Sequence, residues 1–140
     1  MQRFLPGLIC CLAVVSSSPV FADAEDKVET YTATVEKDGV QHIPILAGSY
    51  FFKPNRIVVK KNVPVELSVS LKSGIAPHTI VAQVPDASIA FDEPLSSSAA
   101  KIITFTPTAA GEYVFYCKNK LLFLRSHRER GMQGVIEVVE

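Results

Sequence analysis

The sequence has few cysteines, and two of the three lie at its beginning. Cys10 and Cys11 fall within an N-terminal segment that has the features of an export signal, and Cys117 is the third. Without that segment one thiol remains, which excludes an internal disulfide. A lone thiol in an oxidising compartment is a liability unless it is buried or bound. Cys117 is therefore the first candidate for a functional residue.

The N-terminal segment has the parts of a secretory signal peptide. Arg3 supplies positive charge, residues 4–15 are apolar, and residues 20–22, Val-Phe-Ala, form a cleavage site of the small-x-small type. We predict a signal peptide over residues 1–22, cleaved after Ala22, a single domain over residues 23–140 and a periplasmic location. A retained N-terminal anchor is the alternative, although the apolar stretch is short for a membrane span.

Two further absences narrow the class of protein. No second apolar run is long enough to cross a bilayer, so we expect no membrane span after cleavage. The formal net charge is zero, so overall charge does not suggest nucleic acid as a partner.

The sequence also shows no sustained helical period, and apolar residues recur instead at every second position. Val65, Leu67, Val69 and Leu71 alternate with polar residues, which predicts a half-buried strand. Further strands are predicted over residues 30–35, 40–46, 56–60, 79–83, 101–105, 112–117 and 135–139. The first two flank an Asp-Gly pair, which predicts a hairpin. We predict an all-β fold, an antiparallel sandwich of about seven or eight strands, with residues 84–100 crossing between its sheets.

Four residues stand out as candidate metal ligands: His78, Cys117, His127 and Met132. Two imidazoles, a thiolate and a weak thioether form the ligand set of a type 1 copper site for electron transfer. Each residue also has an ordinary interpretation, because single cysteines and methionines commonly fill cores and histidines commonly lie at surfaces. His42 has no ligand-like neighbour, and we predict that it is a structural or surface residue.

Four segments of the sequence resemble the cupredoxin family, in the family's order. They read FFKPNRIVVKKNVPVELSV, APHTI, FTPTAAGEYVFYC and HRERGMQGVIEV, and the resemblance covers residues 51–140. It implies a Greek-key sandwich with one type 1 copper ion, blue or green, held by His78, Cys117, His127 and Met132. It also implies that electrons pass through a solvent-near edge of His127.

The loop between Cys117 and His127 departs from the plastocyanin-like pattern. Nine residues separate the two, where plastocyanin-like proteins have about two and copper nitrite reductases have a similarly long loop. Loop-closure entropy grows only logarithmically, so the extra length costs about 1–1.5 kcal/mol. Metal ligation can offset this cost. The four ligands therefore remain the prediction.

The same loop is rich in basic and apolar residues. The basic residues between positions 118 and 130, opposed by Glu129 alone, are Lys118, Lys120, Arg125, Arg128 and Arg130. Such asymmetry can steer an acidic redox partner, a cytochrome or an oxidoreductase, toward the metal. Residues 121–124, Leu-Leu-Phe-Leu, either form an apolar docking patch or fold back and seal the site from water.

Two functions follow, and the sequence does not decide between them. The first is a periplasmic carrier of single electrons, favoured by the absence of a Met-rich or His-rich tract. The second is a periplasmic copper-binding protein for tolerance or delivery. An enzyme of the nitrite reductase type is not expected, because its second copper site needs histidines and only His42 is left. An immunoglobulin-like adhesion module without metal is the remaining alternative.

Overall fold

Alternating apolar side chains place two β-sheets face to face in the computed structural model, which describes residues 27–140. The predicted signal peptide over residues 1–22 and its cleavage site lie outside the described residues. Within residues 27–140, no helix has the length and hydropathy needed to cross a membrane.

Ten strands make up the two sheets. They are β1 (Thr30–Thr32), β2 (Gln41–Gly48), β3 (Phe51–Lys53), β4 (Arg56–Lys60), β5 (Val65–Leu71), β6 (Thr79–Val84), β7 (Ile89–Pro94), β8 (Lys101–Phe105), β9 (Gly111–Tyr116) and β10 (Gln133–Val139). One sheet has the order β1-β4-β10-β9-β6-β7, and the other has the order β3-β2-β5-β8. Two short 3₁₀ helices, Pro85–Ala87 and Arg128–Arg130, lie in the connections.

The predicted all-β sandwich is confirmed, and β4, β5 and β8 have the predicted bounds. The sheets are mixed, however, because β1 pairs with β4, β4 with β10, and β2 with β5 in parallel. Parallel neighbours are joined by long crossovers, so these pairings follow from chain segments that change sheets between consecutive strands.

The core lies between the sheets, where the alternating residues meet. Val65, Leu67 and Val69 are buried, as the pattern predicts. Phe52 of one sheet packs edge-on against Phe115 of the other, with ring centroids 5.2 Å apart. Burying apolar side chains of this size contributes about 1.5–3 kcal/mol each.

A buried glutamine joins the two sheets with hydrogen bonds. Gln41 of β2 is fully buried, and its side-chain amide donates to the carbonyls of Lys60 and Val63. Its side-chain oxygen accepts from the Lys60 N–H at 2.7 Å. Because both ends of the amide are satisfied, its burial is not a destabilising polar defect.

The predicted hairpin between residues 30–35 and 40–46 is wrong in its pairing. The turn forms, with Gly39 at φ +80° and Asp38 accepting from the Val40 N–H. Only one bridge, between Val35 and Gln41, joins the two flanks. β1 pairs with β4 instead, in the other sheet. The Asp-Gly signal specifies a local turn, whereas the strand partner is decided by the open edge of β4.

The prediction of a single long connection over residues 84–100 is also wrong in part. It contains β7, which pairs antiparallel with β6 and buries Ile89 and Phe91. The flanking prolines and serines obscured this short alternation. Pro94 is tolerated because it ends an edge strand. The chain does then change sheets, since β8 belongs to the four-stranded sheet.

The loop between the adjacent strands β9 and β10 lies at one end of the sandwich and carries three of the candidate ligands. Tyr116 at the end of β9 pairs with Gln133 at the start of β10. Cys117 follows the first strand directly, and Met132 precedes the second. The loop between them must therefore return to the point where it leaves the sheet.

Gly134 gives a direct test of this packing. A Cβ at this position would meet the Phe115 ring and lie 2.5 Å from the Asn55 carbonyl oxygen. We expect Gly134→Ala to lower the free energy of unfolding by about 1–3 kcal/mol, the usual cost of overpacking. Gly74→Ala is the matched control, since its nearest atom would be 4.0 Å away. Chemical denaturation measures both, and equal stabilities would contradict the packing.

Candidate metal centre

Three predicted ligands, His78, Cys117 and His127, meet at the end of the sandwich. Their candidate ligand atoms all lie within 4.8 Å of one another. His127 Nδ1 is 3.2 Å from His78 Nδ1 and 3.4 Å from Cys117 Sγ. The histidines are 4% and 5% exposed, and Cys117 is fully buried. Cys117 and His127 lie 39 and 49 positions after His78 in the sequence, and the fold brings all three together.

The donor set fits a metal ion that accepts nitrogen and sulfur ligands. Burial lowers the pKa of His78, with a smaller contribution from neighbouring His127. Burial also lowers the pKa of His127, followed by the charge of Arg130. Both rings are therefore neutral at pH 7, which is the form that binds metals. Two ring nitrogens and a sulfur that meet at a buried point match the ligands of soft and borderline metals.

A chain of three backbone hydrogen bonds links the predicted ligands of the β9–β10 loop. The Cys117 N–H donates to the Met132 carbonyl at 3.0 Å, and the Met132 N–H donates to the His127 carbonyl at 3.0 Å. The His127 N–H donates to the Asn119 carbonyl at 2.9 Å. With the covalent segment from Cys117 to Asn119, these bonds close a ring, which we call the ligand ring. It fixes three predicted ligand residues through main-chain atoms.

The ligand ring explains how a long loop can deliver closely spaced ligands. The bond from His127 to Asn119 closes the loop at its base, and residues 120–125 project beyond it. Across this bond, Cys117 and His127 are separated by Lys118 and Asn119 alone. The effective spacing therefore equals the two-residue spacing of the plastocyanin-like pattern.

The His127 backbone is also held by a small capping motif. Ser126 donates from its N–H and its hydroxyl to the Glu129 carboxylate, at 2.6 and 2.7 Å. The Glu129 N–H donates back to the Ser126 hydroxyl. This reciprocal Ser-x-x-Glu arrangement has the pattern of a capping box and lies one residue before His127, the residue from which the 3₁₀ helix Arg128–Arg130 begins. Gly131, at φ +95°, then turns the chain back toward Met132.

Met132 is fully buried beside the cluster. Its N–H donates to the His127 carbonyl, and its carbonyl accepts from the Cys117 N–H, so it lies between two predicted ligands in the ring. It also belongs to the hydrophobic core, in contact with the sandwich interior. A side chain in this place is able to serve both as core packing and as a weak fourth ligand.

Two polar residues that sequence reasoning missed connect His78 to this ring. The Thr79 N–H donates to Cys117 Sγ at 3.4 Å. The Thr79 hydroxyl donates to Asn119 Oδ1 at 2.8 Å and accepts from the Lys118 N–H. Thr79 directly follows His78, and Asn119 lies two positions after Cys117. Polar side chains immediately beside ligands are the signal that could have found them.

Tyr50 is a third missed residue, and it comes from the other sheet. Its ring contacts the His127 ring edge-on, with centroids 5.1 Å apart. The Arg130 guanidinium lies 4.6 Å from the centroid of the Tyr50 ring. Tyr50 occupies the turn between β2 and β3 at φ +69°. No local pattern links this turn to a histidine 77 positions away, so the sequence alone could not reveal the contact.

His127 lies in the wall of a cleft of about 340 Å³ and not on the outer surface. Residues from three segments line it: Ser49, Tyr50, Ile75, Ala76, Pro77, Asn119, Lys120, Leu121, Leu124, Arg125, His127 and Arg130. Among these described lining residues there is no carboxylate. The expected solvent-near edge of His127 is therefore reached through an apolar cleft with three cations.

The solvent exposure of the side chains of residues 121–124 decides whether they form an exposed apolar patch or seal the site. Leu121, Leu122, Phe123 and Leu124 are 60, 78, 90 and 41% exposed. Leu121 and Leu124 line the cleft, whereas Leu122 and Phe123 do not. The expectation that the run folds back and seals the site is therefore wrong, because the ligand ring already closes beneath it.

The basic residues of the β9–β10 loop differ in how far neighbouring groups already occupy their charge. Lys118 forms an ion pair with Asp92, and Arg128 lies over the Tyr116 ring at 4.4 Å. Arg125 donates to the Glu129 carbonyl at 2.8 Å but stays exposed, as does Lys120. The positive charge beside the cleft thus comes from Lys120, Arg125 and Arg130.

His42 lies away from the cluster, as predicted. It is half-buried on β2, between Asp38 at 2.8 Å and Glu66 at 3.2 Å. The hydrogen bond to Asp38, followed by that to Glu66, raises the pKa of His42. The carboxylates contact opposite nitrogens of the ring, so the arrangement ties a turn to the sheet.

Comparison with solved structures shows what the chain resembles. The metal-binding domain of the Cu(I)-exporting P-type ATPase CopA of Streptococcus pneumoniae D39, solved with Cu(I), is 25% identical with a TM-score of 0.60, over 81% of this chain and 99% of that one. A copper-binding protein solved by NMR in its apo form is 24% identical with a TM-score of 0.60, over 81% of this chain and 100% of that one. Auracyanin from Roseiflexus castenholzii is 20% identical with a TM-score of 0.56, over 77% and 99%.

No curated protein matches the sequence significantly. A family model described as a cupredoxin-like domain does match, over residues 8–135. This range includes all four candidate ligands and every strand of the sandwich except the end of β10. The chain therefore belongs to the cupredoxin-like domain family.

Proposed function

We propose that this protein is a type 1 copper protein that carries single electrons between redox partners. The family indicates copper as the cofactor, and His78, Cys117 and His127 could hold one metal ion. The observation that supports the proposal is the meeting of two neutral imidazoles and one thiol at a buried point. Copper held there would supply one-electron chemistry by changing between Cu(I) and Cu(II).

The surrounding residues would keep the ligands in place in both oxidation states. The ligand ring fixes Cys117, His127 and Met132 through the backbone, and Thr79 donates to the sulfur. We assign Met132 as the weak fourth ligand, since it is buried and bonded to two of the others. A rigid, dry site lowers the structural rearrangement that accompanies electron transfer.

Copper tolerance or delivery is the second candidate function. It is supported by the 25% identity to a domain of a Cu(I)-exporting ATPase, which was solved with Cu(I). Delivery requires that ligands of a partner reach the ion and replace those of the donor. The three ligand residues are 0–5% exposed, which hinders such exchange but does not hinder electron transfer. Burial therefore favours the electron carrier, and no catalytic function is proposed.

For location and partner, we propose the periplasm and an acidic redox protein, a cytochrome or an oxidoreductase. The location is supported by the signal-like residues 1–22. The partner is supported by Lys120, Arg125 and Arg130 at the cleft that leads to His127. Complementary charge speeds association by steering the encounter.

The copper site is tested by colour. Adding Cu(II) to the purified protein is expected to give an intense visible band from charge transfer between the Cys117 thiolate and copper. Cys117→Ser should abolish this band, because the serine hydroxyl does not supply the transition. Visible absorption with one equivalent of Cu(II) measures both proteins. A wild-type protein that binds copper without colour would contradict the type 1 assignment.

The role of Met132 is tested by the reduction potential. Met132→Gln is expected to retain copper and lower the potential, since an oxygen ligand favours Cu(II) more than a thioether does. Met132→Leu is the matched control, because it nearly keeps the volume of the side chain and stays apolar but has no sulfur to offer a metal. Voltammetry measures all three proteins. If glutamine and leucine shift the potential equally and in the same direction, Met132 acts through packing alone.

The electron-carrier function and its charge dependence are tested together by stopped-flow kinetics. The reduced, copper-loaded protein is mixed with an oxidised cytochrome that has an acidic surface, without lipid, over a range of salt concentrations. We expect rapid oxidation that slows as salt increases, since salt screens exposed charges over about 10 Å at 0.1 M. Lys120→Gln should slow the reaction and flatten its salt dependence, whereas Lys37→Gln in the remote turn should not. Absence of electron exchange would favour copper handling.

A further inference from the structure

The part of the loop beyond the ligand ring ends in an exposed apolar turn. Residues 121–124 form this turn, which we call the loop tip, and the Leu124 N–H donates to the Leu121 carbonyl at 3.0 Å. Leu122 has φ +48°, a left-handed conformation that is uncommon for leucine. The turn places Leu122 and Phe123, 78 and 90% exposed, at its outermost point.

Holding the ligands does not require these side chains. The bond from His127 to Asn119 closes the ligand ring beneath the loop tip. Leu122 and Phe123 also line none of the cleft beside His127. Ile75, from the loop before His78, is fully exposed and shares the cleft with Leu121 and Leu124. A group of large apolar residues exposed together marks an interaction surface.

The size and charge of the loop tip fit insertion into a lipid bilayer, whereas the redox partner proposed above approaches the cleft beside the tip. A stable protein interface buries about 800 Å² on each side, whereas the loop tip is a single four-residue turn. Lys120 immediately precedes the tip and Arg125 immediately follows it, and both are exposed. Apolar side chains bracketed by basic residues are suited to the boundary between acyl chains and anionic headgroups.

We propose that the loop tip inserts into the surface of an anionic lipid bilayer. Leu122 and Phe123 enter the acyl region, while Lys120 and Arg125 stay at the level of the headgroups, as long basic side chains do at interfaces. The cleft that leads to His127 is lined by Leu121 and Leu124, so it then lies close to the membrane surface. The proposal concerns the loop alone and does not depend on the electron-carrier function.

Tryptophan fluorescence gives a readout local to the tip, because the sequence contains no tryptophan. A local readout is needed since residues 4–15 form an apolar stretch of their own in the full chain. Phe123→Trp in the full chain is titrated with vesicles of phosphatidylcholine, with and without phosphatidylglycerol. We expect its emission to shift to shorter wavelength and to be quenched by brominated acyl chains with the anionic vesicles.

Ile102→Trp is the matched control, because Ile102 is 51% exposed on β8 of the other sheet. Its emission should not change with either kind of vesicle. If the emission of Phe123→Trp also stays unchanged with anionic vesicles, the proposal is overturned. Equal shifts of the two variants would overturn it as well, since they would show contact without preference for the loop tip.

Vesicle partitioning of further variants separates the two parts of the surface. Lys120→Gln and Arg125→Gln, each made in the Phe123→Trp background, should weaken binding to anionic vesicles by about fivefold. Leu122→Ser should weaken it by about tenfold, and Lys37→Gln should leave it unchanged. If Leu122→Ser instead slows electron exchange with the acidic cytochrome and leaves partitioning unchanged, the tip is a protein contact and the proposal is wrong.

Discussion

The ligand ring is the constraint on which the rest of the site depends. Three main-chain hydrogen bonds connect Cys117, Met132, His127 and Asn119 in a closed circuit. Each bond contributes only about 0.5–1.5 kcal/mol to stability. Their importance lies in geometry, because they fix three predicted ligand residues relative to one another through main-chain atoms alone. The side chains of Cys117 and His127 are therefore left to face each other, with Sγ and Nδ1 3.4 Å apart.

Because of this constraint, one part of the loop can hold a metal while another part forms an exposed surface for recognition. Residues 120–125 project from the base of the ring, so their side chains are not needed to close it. The length of the loop adds an entropic cost that grows only slowly. An exposed Leu-Leu-Phe-Leu run and several cations are thus tolerated within ten positions of a buried thiol. A short ligand loop has no room for such a surface.

The sequence predicts those features of the fold and of the site that depend on the types and the spacing of side chains. The alternation at Val65, Leu67 and Val69 predicts β5, because burial on one face is a local property of a strand. The residue types also identify His78, Cys117 and His127 as neighbours, which the structure places within 4.8 Å. Strand pairing is different, because the open edge that β1 joins lies 26 positions away along the chain. A local Asp-Gly signal contains no information about that edge.

The site itself depends on contacts that leave little trace in the sequence. Main-chain hydrogen bonds have no residue signature, so the bond from the His127 N–H to the Asn119 carbonyl could not be predicted. Without that bond, the nine residues between Cys117 and His127 looked like a departure from the family pattern. The contact of Tyr50 with His127 joins two sheets and is equally hidden. Both contacts restrain His127. The ring fixes the backbone of His127, and the ring of Tyr50 covers one edge of its imidazole, so the histidine is held neutral, desolvated and in place before any metal binds. Preorganisation of this kind is what the proposed electron carrier requires, because the same ligands would have to serve two oxidation states.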